Sequence, residues 1–366
     1  MAPAKKKSKT ALIVICSVAG LLLIGGALAF VFKDKLFSSE DKADQTTAEA
    51  KPADSKSETK SKKSTKKTSR TKKGEAASAN AQAPSAEEII QKVTEQYDSL
   101  TSFSASGRTV TDIDMSNVDP KNIPGAQANL PEDYKKTQMS ALRKPQHMEG
   151  EFSIKLSKPD LYRVEWEQGM GPGGKMKGAT WSIGEGDFFL MAAGPQQPKY
   201  VKMQNREMAL ASATGVSGGA ANTIPEIFFK GQSSLLRLFQ ESTRADDETI
   251  DGEDCYVLNG TMMGMKMILW INKGTSLIKQ KQIALGGEMK MPADSEQKMK
   301  DAMKQFGGKM TDKQVSDMMK GMRAMASKMK GTMTETYSNI EINKALDKAD
   351  FKYEVPAGTK LSKSLF

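Results

Sequence analysis

The sequence predicts an antiparallel α+β domain over residues 86–366, a curved sheet with helices covering its apolar face. Three observations predict it. Short runs alternate apolar and polar residues with a period of two, in hairpin order. Capping-box sequences open helices in the few long connections. The 281 residues here are enough for one domain with a large apolar interior, and their charge is balanced, with 37 Lys/Arg against 36 Asp/Glu.

Residues 1–85 have a different character, with 17 Lys/Arg against 8 Asp/Glu. Residues 1–10 form a basic tail carrying Lys5, Lys6, Lys7 and Lys9. The uncharged run 11–32 would span about 33 Å as a helix, enough to cross a bilayer of about 30 Å. A signal anchor with its basic flank inside places the rest outside the cytoplasmic membrane. The competing reading is a cleaved signal, because Ala27-Leu28-Ala29 resembles a cleavage site; the chain would then be secreted or periplasmic. Residues 33–85 are rich in Lys, Ser, Thr and Ala, with nothing apolar repeating, so a disordered linker is expected. Its cationic stretch reads as a solubilising spacer or as a contact for anionic lipid or cell-wall polymer.

Within the domain, Ser85-Ala86-Glu87-Glu88 is a capping box. The helix it opens carries Ile89, Ile90, Val93, Tyr97 and Leu100 on one face. A strand follows to about Met115, then a Pro- and Asn-rich loop over 118–147. Phe152, Ile154 and Leu156 alternate with polar residues, turn at Lys158-Pro159-Asp160, and lead to Tyr162, Val164 and Trp166. This is a hairpin with one apolar face. Further strands are expected at 178–183, 187–192 and 199–204. Thr223-Ile224-Pro225-Glu226 reads as a second capping box, opening a helical segment as far as Phe239 with a break at Gly231. Strands resume at 253–260, 264–271 and 276–285, a last β stretch runs over 333–342, and 350–355 closes the chain.

Several function classes are excluded on composition. The basic excess lies in the tail, not the domain, the reverse of a nucleic-acid-binding module. The chain has one histidine, His147, read as a surface loop residue, so no His-based metal cluster can form. Cys16 lies in the apolar run and Cys255 stands alone in the domain, where a buried strand position is expected. Asp246, Asp247, Asp251 and Asp254 are acidic turn residues without a paired arrangement. No catalytic site, metal or cofactor is expected.

These elements together resemble the LolA/LolB-like lipoprotein carrier superfamily and its lipoprotein-sorting relatives. The residues that carry it are Tyr97-Asp98-Ser99-Leu100-Thr101-Ser102-Phe103, the hairpin from Phe152 to Arg163, Ile250-Asp251-Gly252 through Leu258, Leu269-Trp270-Ile271-Asn272-Lys273, and Phe351 to Gly358. The resemblance implies an incomplete antiparallel β-barrel with a helical lid over a cavity for acyl chains. It puts Phe152, Ile154, Tyr162, Val164, Trp166, Met265, Met267 and Leu269 in the cavity wall. It also puts a lid latch at Lys158, where the carriers have an arginine with a planar fork that lysine lacks. An anchored domain would present a ligand near its own membrane, unlike a free carrier.

Residues 286–333 look like an insertion, and eleven of the 24 methionines fall there. Met318, Met319, Met322, Met325 and Met329 share one face of a helix expected to open at Thr311-Asp312-Lys313-Gln314. A shorter helix with Met299, Met303 and Phe306 precedes it. Three readings stand: ordinary core, a lid of adaptable side chains over lipid, or thioether ligation of Cu(I).

The expected function is non-catalytic binding and transfer of a lipid, lipoprotein acyl chains or another hydrophobic ligand at the outer face of the cytoplasmic membrane. Its partners would be lipid or an acylated protein, and no nucleic acid. The alternative is a cell-envelope structural or interaction protein using the same sheet as a platform.

Overall fold

The structure, a computed structural model, describes residues 83–119, 144–169, 175–193, 198–231, 234–262, 264–287 and 312–362. The basic tail, the apolar run 11–32 and nearly all of the linker lie outside these residues. So do the shorter methionine helix and most of the loop 118–147. Among the described residues, no helix is long and apolar enough to cross a membrane.

Helix α1 (Ala86–Ser99) starts at the expected capping box. Glu88 N donates to Ser85 Oγ (3.2 Å), and Ser85 N donates to the Glu88 carboxylate (2.8 Å). Both are otherwise orphan donors of the first turn. Ile89, Val93 and Tyr97 form its buried stripe.

The strands are β1 (Ser102–Asp114), β2 (Gln146–Ser157), β3 (Leu161–Gly169), β4 (Lys175–Ser182), β5 (Asp187–Ala193), β6 (Lys199–Met203), β7 (Phe239–Arg244), β8 (Glu248–Ile250), β9 (Glu253–Met262), β10 (Met265–Asn272), β11 (Ile278–Leu285), β12 (Lys330–Ile342) and β13 (Lys360–Ser362). They form one sheet in the order β13-β6-β5-β4-β3-β2-β1-β12-β11-β10-β9-β7, with β8 paired to β9. All pairings are antiparallel except β13 with β6. The first and last strands of this path do not pair, so the sheet is open.

Alternation decides which side is buried. Along β2, Met148, Phe152, Ile154 and Leu156 are buried while His147, Glu149, Glu151 and Ser153 are exposed. A shift of one residue would exchange these faces, so the register Phe152↔Trp166 and Ile154↔Val164 is fixed by burial. The inner face is covered by α1, α2 (Arg206–Thr214) and α3 (Thr223–Phe228), followed by the single turn α4 (Leu235–Leu238). Helix α5 (Asp312–Lys328) leads into β12. The outer face carries two smaller clusters. One is Ala179, Trp181 and Leu190 under Tyr353 and Val355. The other is Cys255, Val257 and Trp270, where burial pushes the Cys255 thiol up to about 11.

Several expectations are corrected. Thr223 is the first residue of α3, not its cap; its hydroxyl turns back to Gly219 O (3.4 Å), and the cap is Asn222. Helix α2 was not foreseen, because its buried positions are Ala209, Leu210 and Ala213, a weak apolar stripe. Phe239 begins β7 rather than ending a helix. Asp347 caps a 3-10 turn over Lys348–Phe351, and the chain then runs on to lay Tyr353 against Trp181, with ring centroids 5.0 Å apart.

His147 is likewise in β2 and not in a loop. Its Nδ1 lies 2.7 Å from Asp112 Oδ1 on β1, and its Nε2 lies 3.1 Å from Glu149 Oε1. Hydrogen bonds to Asp112 and then Glu149 raise its pKa above the ordinary 6.5. The raised value means that this contact stabilises the fold fully below pH 6.5 and is lost as pH rises through the folded-state pKa. Because the chain has one histidine, its NMR titration is unambiguous. The midpoint is expected above 6.5, moving down in Asp112→Asn; a midpoint at or below 6.5 in the natural chain contradicts the geometry.

Candidate binding face

Phe152 and Ile154 on β2, Tyr162, Val164 and Trp166 on β3, and Met265, Met267 and Leu269 on β10 all belong to one inner-face cluster. Each is between 0% and 7% exposed. The neighbours that bury them include Val93 and Tyr97 of α1, Leu210 of α2, and Ile224 and Phe228 of α3. The space in front of the eight is thus occupied by helix side chains. A groove of about 240 Å³ beside Asp112 and His147 is lined by none of the eight.

Two buried tyrosines tie this packing together. Ile278 N donates to Tyr97 Oη (3.3 Å), and Tyr162 Oη donates to Asp187 Oδ1 (2.9 Å). Burial raises the pKa of both phenols and of Asp187. Phe152 meets Tyr337 edge-on at 5.4 Å.

Lys158 sits at the hairpin turn, and its Nζ donates to Tyr97 O (3.2 Å) and Asp98 O (2.8 Å). It also lies 5.0 Å from the centre of the Phe228 ring. Helix α1 has no basic residue in its last turn. Lys158 therefore supplies from the sheet the positive charge that a helix C-terminus favours. Burial lowers its pKa, partly offset by Asp98. An ammonium with three donors does this without a guanidinium fork, because its acceptors are two separate carbonyls.

The methionines expected in the lid are placed differently from the eight. Met325 and Met329 pack with Ile113, Val118 and Met148 in a second cluster, flanked by Met115 and Leu285. Met318, Met319 and Met322 are in α5, but their side chains lie outside the described ones.

A buried polar belt was missed by sequence reasoning. Lys281 on β11 and Glu335 on β12 are direct register partners and form an ion pair, with Glu335 fully buried. Lys281 Nζ donates to Thr223 Oγ1 of α3 (2.7 Å), and Tyr337 Oη donates to Glu335 Oε2 (2.7 Å). Gly219 has φ +95°, and a Cβ there would lie 2.1 Å from Glu335 Oε1. Only glycine lets the α2–α3 loop come this close. Thr109 Oγ1 donates to Gln168 Oε1 (2.9 Å) in the same band. The available signal was parity: Lys281 alternates in step with Ile283, and Glu335 with Met333 and Tyr337. Among the described residues, no group of three or more His, Cys, Asp or Glu is placed to hold a metal.

No family model matches the chain, and no curated protein does. Several solved structures match it over most of its length. It is similar to LprF from Mycobacterium bovis, at 11% identity, covering 75% of this chain and 97% of that one, with a TM-score of 0.34. A putative outer membrane lipoprotein-sorting protein domain from Vibrio parahaemolyticus matches at 11% identity, over 73% and 97%, with a TM-score of 0.26. A LolA superfamily protein from Nitrosomonas europaea matches at 10%, over 74% and 99%, with a TM-score of 0.22. These superpositions are loose.

The buried pair gives a direct test. Lys281→Met leaves Glu335 buried without its cation and is expected to lower the unfolding free energy by about 3–5 kcal/mol. Lys281→Met with Glu335→Leu is expected to recover most of that loss in denaturant titrations. A single variant no worse than the double one contradicts the pair's role.

Proposed function

We propose that the chain is a membrane-anchored, extracytoplasmic, non-catalytic protein that binds and transfers a lipid, lipoprotein acyl chains or another hydrophobic ligand. One observation carries the reading. The inner face is apolar from Phe189 on β5 to Leu258 on β9, and helices rather than strands cover it. Laid flat, those nine adjacent strands would span about 38 Å at about 4.8 Å each. The 14 residues of α1 reach about 21 Å and the six of α3 about 9 Å. One contiguous cluster under such short helices fits a strongly curved sheet, an incomplete barrel with a helical lid.

In this reading the eight residues on β2, β3 and β10 form the seat, and Lys158 is the latch that holds α1 and α3. The face of α5 bearing Met318, Met319, Met322 and Met325, with Met329 just after the helix, is an adaptable edge of the lid, since thioether side chains accommodate varied shapes. A guest replaces helix side chains on the inner face. Burying an acyl chain is worth about 0.8 kcal/mol per methylene, and a bilayer offers the same chain a similar environment. Exchange between membrane and protein is then close to neutral and needs no chemistry. Residues 11–32 would hold the chain in the cytoplasmic membrane, and residues 33–85 would let the domain reach about 40 Å from it.

A second reading, a cell-envelope platform for a protein partner, is favoured by the near-complete burial of the eight residues. The two are separated by mass spectrometry of organic extracts from the full chain, purified from two expression hosts. A stoichiometric amphiphile is expected. Its absence from both hosts favours the platform.

A further inference from the structure

Trp166 carries a buried polar group that the packing leaves unused. The residue is 4% exposed, and among the described residues its Nε1 has no hydrogen-bond acceptor. Elsewhere the chain satisfies such a group: Trp270 Nε1 donates to Glu248 Oε2 at 2.8 Å. An unmade bond at a buried donor costs about 1–3 kcal/mol, and folded proteins seldom carry one without a reason.

The indole is fixed where it stands. It lies against Gly178 on β4, where a Cβ would be 2.2 Å from Cζ2 and 2.5 Å from Cε2. The Phe189 ring is 6.0 Å away, centre to centre. Two residues along the same face of β3, Gln168 Oε1 already accepts from Thr109. Trp166, with its unpaired N–H, therefore stands next to the polar belt at one end of the apolar seat.

That boundary matches the chemistry of one ligand group. The carbonyl at the head of an acyl chain is a strong acceptor attached to an apolar tail. We propose that Trp166 Nε1 donates to the ester or amide carbonyl of the bound acyl chain, so that the site selects acyl lipids over alkyl ethers. This rests on the lipid-binding reading above, and adds to it a polar anchor and a ligand class.

The full chain, held in amphipol, is incubated with vesicles of equal parts diacyl and dialkyl-ether phosphatidylglycerol of matched chain length. It is then repurified, and the bound lipids are quantified. The ester form is expected in about five- to tenfold excess, the effect of one net hydrogen bond. In Trp166→Phe the ratio is expected to fall to about one. Bound lipid at a ratio near one in the natural chain overturns the anchor while leaving lipid binding intact. Recovery of neither lipid overturns both. The ratio in the natural chain decides the matter even where Trp166→Phe fails to fold.

Discussion

The constraint on which this fold depends is the covering of one wide apolar face. Strict alternation along β2 and β3 sends every second residue inward, and the sheet keeps two free edges. An apolar face this wide left in water would be unstable and would associate with other chains. A closed barrel would hide it by pairing its own edges. Here α1, α2 and α3 hide it instead, so the integrity of the interior depends on how firmly three short helices are attached.

Their attachment is local and polar. Lys158 fixes the end of α1, and Lys281 with Glu335 fixes the start of α3 and the loop before it. Between these points lie one more directional tie, from Ile278 N to Tyr97 Oη of α1, and side-chain packing without direction. On the proposed function a guest enters by displacing these helices, which must break those few directional ties. The polar belt interrupts the inner face between the main cluster and the methionine cluster around Ile113 and Met148, and the two meet at Leu285.

Much of this was legible in the sequence, for physical reasons. The β2–β3 hairpin shows because its signal is local: alternation and a Pro-Asp turn within a short span. The cap of α1 shows because Ser85 and Glu88 are both polar and correctly spaced. What stayed hidden depends on distant pairing. Strands β1 and β12 pair Phe103 with Ile342, and no local pattern announces that. Lys281 and Glu335 look like ordinary strand charges until register sets them side by side. Helix α2 hides its burial in alanines, and Asn222 displaced Thr223 as a cap because the preceding loop already occupies the threonine hydroxyl. The eight residues expected in a cavity wall were put there by the resemblance, and their alternation places them on the inner face. It does not say whether a helix or a guest fills the space before them.

The account stands on helices that yield separately from the sheet they cover. Amide hydrogen exchange on the full chain measures this directly, by comparing α1 with β2 and β3. The account predicts that the amides of Ala86–Ser99 exchange through an opening of clearly lower free energy than those of the two strands. Exchange of helix and strands together, at the free energy of global unfolding, would contradict it.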